Sequence, residues 1–531
     1  MISKDTKILV ADGIADDGIK LMQEFAEVDS ILGLSEPALC EKIKDYDALI
    51  VRSATQVTAN VIRAGEKLKV IGRAGTGVDN IDLAVATEKG IVVVNAPQGN
   101  TIAAAEHSVA LMLSLARHIP QANKSLSTGN WDRSNFVGAE LRSRTLGLIG
   151  FGPVGAAVAR RAIGLEMSVV AHDPFVPAER LRSLGVESVT LEELLKKSEF
   201  ISLHTPLTPQ TKGMVSDEQI NLMKPGTRII NAARGGILDE DALIRGIESG
   251  KIAGAALDVF ATEPPKLDSP LLNNPKIIAT PHLGASTQEA QERVSIDVAK
   301  QIVDVLKGNP PTYPVNAPLV SPELMEVIGP YMKVANLLGR LAAQLVNDQL
   351  TSIKLDISGE IAEQGVVLLK SSAIAGLLKP ISEDVVTLVN ANLAAEKHGW
   401  IIEERLFSSH EIFHNLIGIT VETNTQKITL NGAVSHLSTK LVSINNLEID
   451  VTIESGDTLL ICENEDKPGM IGSLGMALAS CDINISTMQV ARRKPRANAT
   501  MIVVVDDIPS DTDLKKLSAT DGIQKINLVH L

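Results

Sequence analysis

GLIGFGPVGAAVARRAIGLEMSVVAHD, residues 147 to 173, decides the fold of this chain. An apolar run from Thr145 to Ile149 stops at Gly150. Gly152 and Gly155 follow, then a helix-like Ala/Val/Arg segment, a second apolar run, and Asp173 at its end. Strand, glycine turn, helix, strand and terminal acid in that register are the fingerprint of a βαβ unit that binds a dinucleotide. Gly150 allows the tight turn, Gly152 lets the backbone approach a pyrophosphate, and Gly155 lets helix and strand pack together. The pyrophosphate would then sit on helix N–H groups that have no partner within the helix, beside Pro153 and Val154. Asp173 is placed to accept hydrogen bonds from the adenosine ribose and to repel a 2′-phosphate, so NAD is expected rather than NADP.

Outward from this unit the rhythm repeats. RTLGLIG, MSVVAHD, FISLHTP, TRIINAAR, AGAALDVF and KIIATPH supply strands for a doubly wound sheet between 144 and 284. Upstream, KILVAD, DALIVRS, LKVIGRAG and GIVVVNAP alternate with helical segments, the pattern of a second parallel α/β unit. A long helix over 100–120 is expected between the two units, opened by Asn100-Thr101 and closed by Pro120. After 285 an amphipathic run, STQEAQERVSIDVAKQIVDVLKG, is expected to be a helix that packs back on the first unit. Pro310, Pro311, Pro314 and Pro318 then mark a linker.

Beyond the linker the pattern changes. Helix-like runs at 324–346 and 384–400 mix with β-like runs at 351–358, 418–425 and 427–435, an α+β region without a catalytic cluster. From 458 the order reads βαββαβ, a ferredoxin-like unit. The expected division is 1–98 with 285–316 as a substrate-binding lobe, 99–284 as the NAD-binding Rossmann domain, 317–453 as an intervening domain, and 454–531 as the ferredoxin-like unit.

Composition narrows the function. With 531 residues, 44% hydrophobic and 21% charged, the chain can bury several cores and is not a disordered polymer. A formal net charge of −14 without a basic block argues against nucleic-acid binding, so an anionic substrate would need a local arginine cluster. Cys40, Cys462 and Cys481 are too scattered for a disulfide framework or a CxxC metal site, and no metal is expected. Neither a signal sequence nor a bilayer-length apolar run is legible, and the expected compartment is the cytoplasm.

Three segments carry candidate chemistry. Arg234 follows an apolar strand in NAARGGILDEDAL, where a guanidinium can hold a carboxylate bidentately. Glu263 lies in the proline-closed loop LDVFATEPP, and His282 follows a strand in ATPHLGAST. All three sit at strand ends, where open α/β sheets bind ligands. A carboxylate bonded to His282 would orient the imidazole and favour its protonated form, suiting it to exchange a proton with a substrate hydroxyl.

VRSATQVT (51–58), GRAGTGVDNID (72–82), LHTPLTPQT (203–211), NAARGGILDE (231–240), GAALDVFATEPP (254–265) and PHLGAST (281–287), with the glycine turn, resemble the motifs of the D-isomer-specific 2-hydroxyacid dehydrogenases. The likeness is greatest to the long, phosphoglycerate-oxidising branch of that family and covers essentially the whole chain. The resemblance implies two Rossmann-like lobes, an intervening domain and a C-terminal ACT domain. It implies Arg234, Glu263 and His282 as the catalytic set. Thr76, Thr205, Ala232, Asp258 and Gly284 join Arg234, His282 and the glycine turn around NAD. Arg52, Ser53, Arg73, Gly75 and Asn100, with Arg133 from a neighbouring subunit, correspond to the substrate anchors. The implied substrate is 3-phospho-D-glycerate, and the implied assembly is a homotetramer with Trp131 near the contact. One departure is Pro153-Val154, where many relatives carry a basic residue against the pyrophosphate.

NEDKPGMIGSL (464–474) resembles the ligand turn of ACT domains. By that resemblance Asn464, Asp466 and Asn484 would grip L-serine as an effector between paired domains. Two other readings stay open at this level. One is a reductase for glyoxylate, hydroxypyruvate or 2-oxoglutarate; the other is an NAD-sensing binding protein on the same fold.

Overall fold

A computed structural model of the chain describes residues 5–382, 385–436 and 438–531. Its first sheet has five parallel strands, β1 (Lys7–Val10), β2 (Glu27–Ser30), β3 (Ala48–Val51), β4 (Val70–Arg73) and β5 (Val92–Asn95), in the order β2-β1-β3-β4-β5. Both faces are covered by helices, which is why β3 is apolar and buried at every position. The helix Gln288–Leu306 returns from far along the chain to cover one face, packing Val294, Val298 and Ile302 against Ile8, Ile50 and Val70. Gly72 leaves room for it: a Cβ there would lie 2.5 Å from Val298 Cγ1.

The second sheet is also parallel throughout. It comprises β6 (Thr145–Ile149), β7 (Ser168–His172), β8 (Glu187–Ser188), β9 (Phe200–Leu203), β10 (Thr227–Asn231), β11 (Ile252–Leu257) and β12 (Ile277–Ala279), ordered β12-β11-β10-β9-β6-β7-β8. The order reverses between β6 and β9, and the crevice beyond their carboxyl ends is where such sheets take a ligand. Six of these strands follow the apolar runs of the sequence. The two-residue β8 is exposed at both positions and leaves no hydrophobic signal.

The long helix between the sheets differs from expectation. It runs Thr101–Arg117 and stops at His118, which adopts a left-handed φ of 54°. A new helix, Ile119–Ser127, begins at once with Pro120 in its first turn. Proline lacks an N–H, but first-turn N–H groups have no intrahelical partner, so Pro120 opens the second helix rather than closing the first.

Beyond the linker, β13 (Leu350–Ser358), β14 (Ile401–Phe407), β15 (Leu416–Thr423), β16 (Lys427–Ser435), β17 (Ser438–Ile444) and β18 (Leu447–Thr452) form a sheet ordered β14-β13-β15-β16-β17-β18. It is antiparallel except for the β13–β14 pair. The helices Pro322–Leu345 and Val366–Leu378 share a core with it. The helix-like run at 384–400 shrinks to Ala391–Lys397, and Asp384 lies outside the described residues. Asn390 explains the delay. Its side chain accepts from Thr387 N at 2.7 Å and donates to Val385 O at 2.9 Å, a local alternative to helical bonding.

The last sheet, β19 (Thr458–Glu465), β20 (Ile485–Arg492), β21 (Asn498–Val505) and β22 (Ile523–His530), is antiparallel and ordered β20-β21-β19-β22, the ferredoxin-like arrangement. One face packs Leu460, Cys462, Met501 and Val503 with Leu474, Leu478 and Leu517 of its two helices. The other face, with Leu459, Ile461, Ile502 and Val529, shares the core of the preceding sheet and of the helix Pro322–Leu345. None of the helices among the described residues is long and apolar enough to cross a membrane.

Candidate active site

The glycine turn leaves β6 with Gly150 at φ 93°, its missing Cβ avoiding His204 O at 2.6 Å. Gly155 lets the helix Pro153–Gly164 approach, since a Cβ there would meet Gly150 O at 2.5 Å. Gly152 behaves differently, because a Cβ on it would have nothing within 4 Å. That space is not needed by the fold, and Gly152 caps the helix without any side-chain hydrogen bond. Thr205 Oγ1, next to this turn in the chain's crossing from β9, is buried without a partner. Open amides, an empty approach and an orphaned hydroxyl fit a dinucleotide. Asp173 closes the far side, accepting from Phe151 N at 2.8 Å and Phe175 N at 2.9 Å. Burial pushes His204 down to about 4, so it lies neutral beneath the turn, 2.9 Å from Ser202 Oγ.

The three catalytic candidates lie on the loops after β10, β11 and β12. Asn231 shapes the first, accepting from Ala233 N at 3.2 Å and donating to Arg234 O at 2.9 Å. Gly235 must be glycine, because a Cβ would fall 1.8 Å from Phe260 O. His282 Nδ1 lies 2.7 Å from Glu263 Oε2, while Glu263 Oε1 accepts from Phe260 N at 3.0 Å. Burial opposes ionisation of Glu263, but the bonds from His282 and Phe260 outweigh it and hold the carboxyl below the usual glutamate range. His282 itself takes φ 54°. Its Nε2 makes no hydrogen bond among the described residues.

Arg234 Nε reaches Asp79 of the other lobe at 3.2 Å. Arg73 lies close by, over Gly75, where a Cβ would collide with its guanidinium. Burial and the neighbouring Arg234 and Arg52 charges push Arg73 down to about 10, which places all three arginines in one basic cluster. This is the local cluster that an acidic chain needs for an anionic substrate. Thr76 and Asn100 bond to each other, Oγ1 to Oδ1, at 2.7 Å. Ser53 is exposed, Gly75 and Gly284 are buried, and Ala232 is partly buried along the same loops. Arg133 stands apart, exposed and without an ion pair among the described residues, near Trp131, which is 78% exposed.

Asp258 is wholly buried. Its Oδ1 accepts from Thr280 Oγ1 at 2.6 Å and Leu283 N at 2.8 Å, and its Oδ2 accepts from Gly284 N at 2.8 Å. His107 Nε2 adds a contact of 3.1 Å to Oδ1. Sequence reasoning missed His107, Thr280 and Asp79, although Asp79 lies inside a quoted motif and its charge beside an expected anion site was the available signal.

In the C-terminal unit Asn464 and Asp466 line one cleft of about 170 Å³ with Pro468, Met470, Val490 and Met501. Asn464 Oδ1 is buried without a partner, while Asp466 accepts from Arg492 Nη1 and Arg496 N, both at 2.6 Å. Asn484 is not part of that cleft and bonds to Asp506 at 2.6 Å.

A doubly wound nucleotide domain whose His–Glu pair and arginine lie beside Arg52 and Arg73 of a second lobe defines the class of NAD-dependent 2-hydroxyacid dehydrogenases. Comparison with known proteins agrees. Residues 109–284 match the family described as D-isomer specific 2-hydroxyacid dehydrogenase, NAD binding domain. Residues 327–445 match that described as D-3-phosphoglycerate dehydrogenase intervening domain. The D-3-phosphoglycerate dehydrogenase of Methanocaldococcus jannaschii is 42% identical over 526 residues, covering 99% of this chain and 100% of its own. That of Bacillus subtilis is 39% identical over 526 residues, covering 99% of each. Among solved structures, D-lactate dehydrogenase from Aquifex aeolicus complexed with NAD and lactic acid superposes with a TM-score of 0.53 at 28% identity, over 59% of this chain and 100% of its own. The chain belongs to the D-3-phosphoglycerate dehydrogenase family.

Proposed function

We propose that Arg234, Glu263 and His282 carry out the oxidation of 3-phospho-D-glycerate to 3-phosphohydroxypyruvate, the first step of L-serine synthesis. The observation that carries this reading is the reach of Arg234 across the cleft to Asp79, which adds a nucleotide-lobe arginine to Arg52 and Arg73. Arg234 holds the carboxylate and polarises the C2 oxygen. Arg52 and Arg73 hold the phosphate, joined by Arg133 from a second subunit. His282 Nε2 takes the hydroxyl proton, and Glu263 stabilises the imidazolium that forms. Bound NAD supplies the acceptor for the hydride that leaves C2. Gly150, Gly152, Pro153, Val154 and Gly155 hold its pyrophosphate, Asp173 its ribose, and Thr76, Thr205, Ala232, Asp258 and Gly284 the remainder.

The roles imply the division 1–98 with 285–316, 99–284, 317–453 and 454–531. The protein acts in the cytoplasm as a homotetramer, and L-serine binds at Asn464, Asp466 and the Asn484 of a paired ACT domain. The test is NADH formation from 3-phospho-D-glycerate with D-glycerate alongside and L-serine titrated in. Turnover confined to the phosphorylated acid is the expected result. Equal turnover of D-glycerate would remove the arginines from the phosphate role, and an unchanged rate with L-serine would remove the effector.

A further inference from the structure

His107 lies on the helix Thr101–Arg117 and not on any of the three loops that carry the catalytic candidates. Its Nε2 is 3.1 Å from Asp258 Oδ1 and 3.3 Å from Thr280 Oγ1. Asp258 in turn governs the His282 loop. Its backbone oxygen accepts from His282 N at 2.9 Å, and its carboxylate binds the next two amides, Leu283 N and Gly284 N, both at 2.8 Å. Three successive N–H groups of the loop therefore end on one aspartate, and they fix the loop where His282 takes a left-handed conformation, uncommon for a residue other than glycine. Burial opposes the charge on Asp258, and the bonds from His107, Thr280 and Leu283 offset it, keeping the carboxyl below the usual aspartate range.

The same helix touches the other lobe. Asn100, the residue before its first turn, accepts from Thr76 Oγ1 at 2.7 Å. His107 follows two turns later, about 10 Å along the axis. One rigid element thus has one end on the substrate lobe and a side chain on the aspartate that fixes the catalytic loop.

We propose that His107 is a positioning residue for His282: through Asp258 it ties the orientation of the catalytic imidazole to the helix that abuts the substrate lobe. The proposal rests on the reading of His282 as the proton acceptor. His107 does not touch substrate. Its part is to supply one N–H to Asp258 Oδ1, so that the carboxylate stays aimed at the two loop amides.

The experiment compares His107→Leu, which removes the donor at similar bulk, with His107→Gln, whose amide places an N–H near the Nε2 position. In the full-length enzyme, kcat, the NAD dissociation constant by calorimetry, and Tm are measured for each. His107→Leu should lower kcat about tenfold, the order expected when a buried carboxylate loses one donor, in an enzyme that still folds and still binds NAD. His107→Gln should restore most of the lost rate. A His107→Leu enzyme with wild-type kcat would overturn the proposal, as would a Gln variant no better than the Leu variant, since that pattern belongs to packing alone. If the Leu variant does not fold, His107→Asn takes its place: its amide is one methylene too short to reach Asp258, and equal rates for Gln and Asn would sink the idea. Wild-type turnover of 3-phospho-D-glycerate in the same assay reports separately on the reaction. Should a different 2-hydroxy acid be the one oxidised, the comparison of variants is made on that acid and decides His107 in the same way.

Discussion

The two parallel sheets that face each other across the cleft are built by one rule and used for opposite purposes. Each buries apolar strands under helices on both faces and opens toward the cleft at its strand ends. The second sheet ends in a glycine turn with free amides and an acid, Asp173, a lining suited to a pyrophosphate and a ribose. The first ends in Arg52 and Arg73, cations whose charge suits an anionic ligand. Two glycines, one from each side, make the contrast concrete. Gly72 is bare because a helix of the protein fills the space, whereas Gly152 is bare beside space the protein leaves empty. Fold alone says nothing of ligand; the side chains at the strand ends do.

The sharpest way to break this division of labour is to remove the base. His282→Ala should cut kcat at least about a hundredfold while calorimetry still finds NAD bound, because it removes the proton acceptor and leaves the glycine turn and Asp173 in place. Loss of NAD binding in that variant would merge the two sites. Next in size, Arg52→Ala should lower kcat/KM for 3-phospho-D-glycerate about tenfold or more, with KM for NAD unchanged, as befits a charge-assisted bond to substrate alone. A rise in KM for NAD would show that the lobes do not divide the ligands.

The glycine pair sharpens the comparison further. Gly152→Ala should weaken NAD binding about tenfold with Tm unchanged, since the added methyl meets ligand and not protein. Gly72→Ala should cost about 1–3 kcal/mol in urea unfolding through the clash with Val298 and Ile302, with NAD affinity retained. If both variants lose stability alike, the emptiness beside Gly152 has been misjudged. The smallest expected effect is at Asp258. Its folded pKa is depressed, so its stabilising contribution is complete above the ordinary aspartate value of about 3.9 and fades as pH falls through the folded value. The Tm gap between wild type and Asp258→Asn should therefore narrow below that pH, and a gap independent of pH would mean that charge is not what the pocket holds.

How much of this was legible depended on sequence distance. The glycine turn with Asp173 could be read because spacing and residue type act together within one βαβ unit, and six of the seven strands of its sheet follow apolar runs. Arg234, Glu263 and His282 stand out because each follows a strand. The contact between His107 and Asp258 joins a helix face to a distant loop, and a histidine on a helix carries no local mark of its partner. Asp79 was read past for a similar reason, since only folding brings it to Arg234. Pro120 misled because proline serves a helix start as readily as it marks an end, and Asn390 because its side chain bonds three residues back and delays a helix that composition alone favours. In the C-terminal half the single core shared by two sheets could not be foreseen, since an apolar strand does not declare which neighbour covers it.

The C-terminal half grips the first lobe at one joint. Asn390, the residue that delays its helix, also donates to Glu88 O at 3.1 Å; Thr387 Oγ1 donates to Gly90 O at 3.0 Å, and Lys397 pairs with Glu88 at 2.6 Å. Gly90 has no Cβ, which would otherwise strike Thr387 at 2.8 Å. All of these grips fall on the first sheet's lobe. These bonds fasten the C-terminal half to the lobe that carries Arg52 and Arg73, as a handle is fixed to one jaw of a vice.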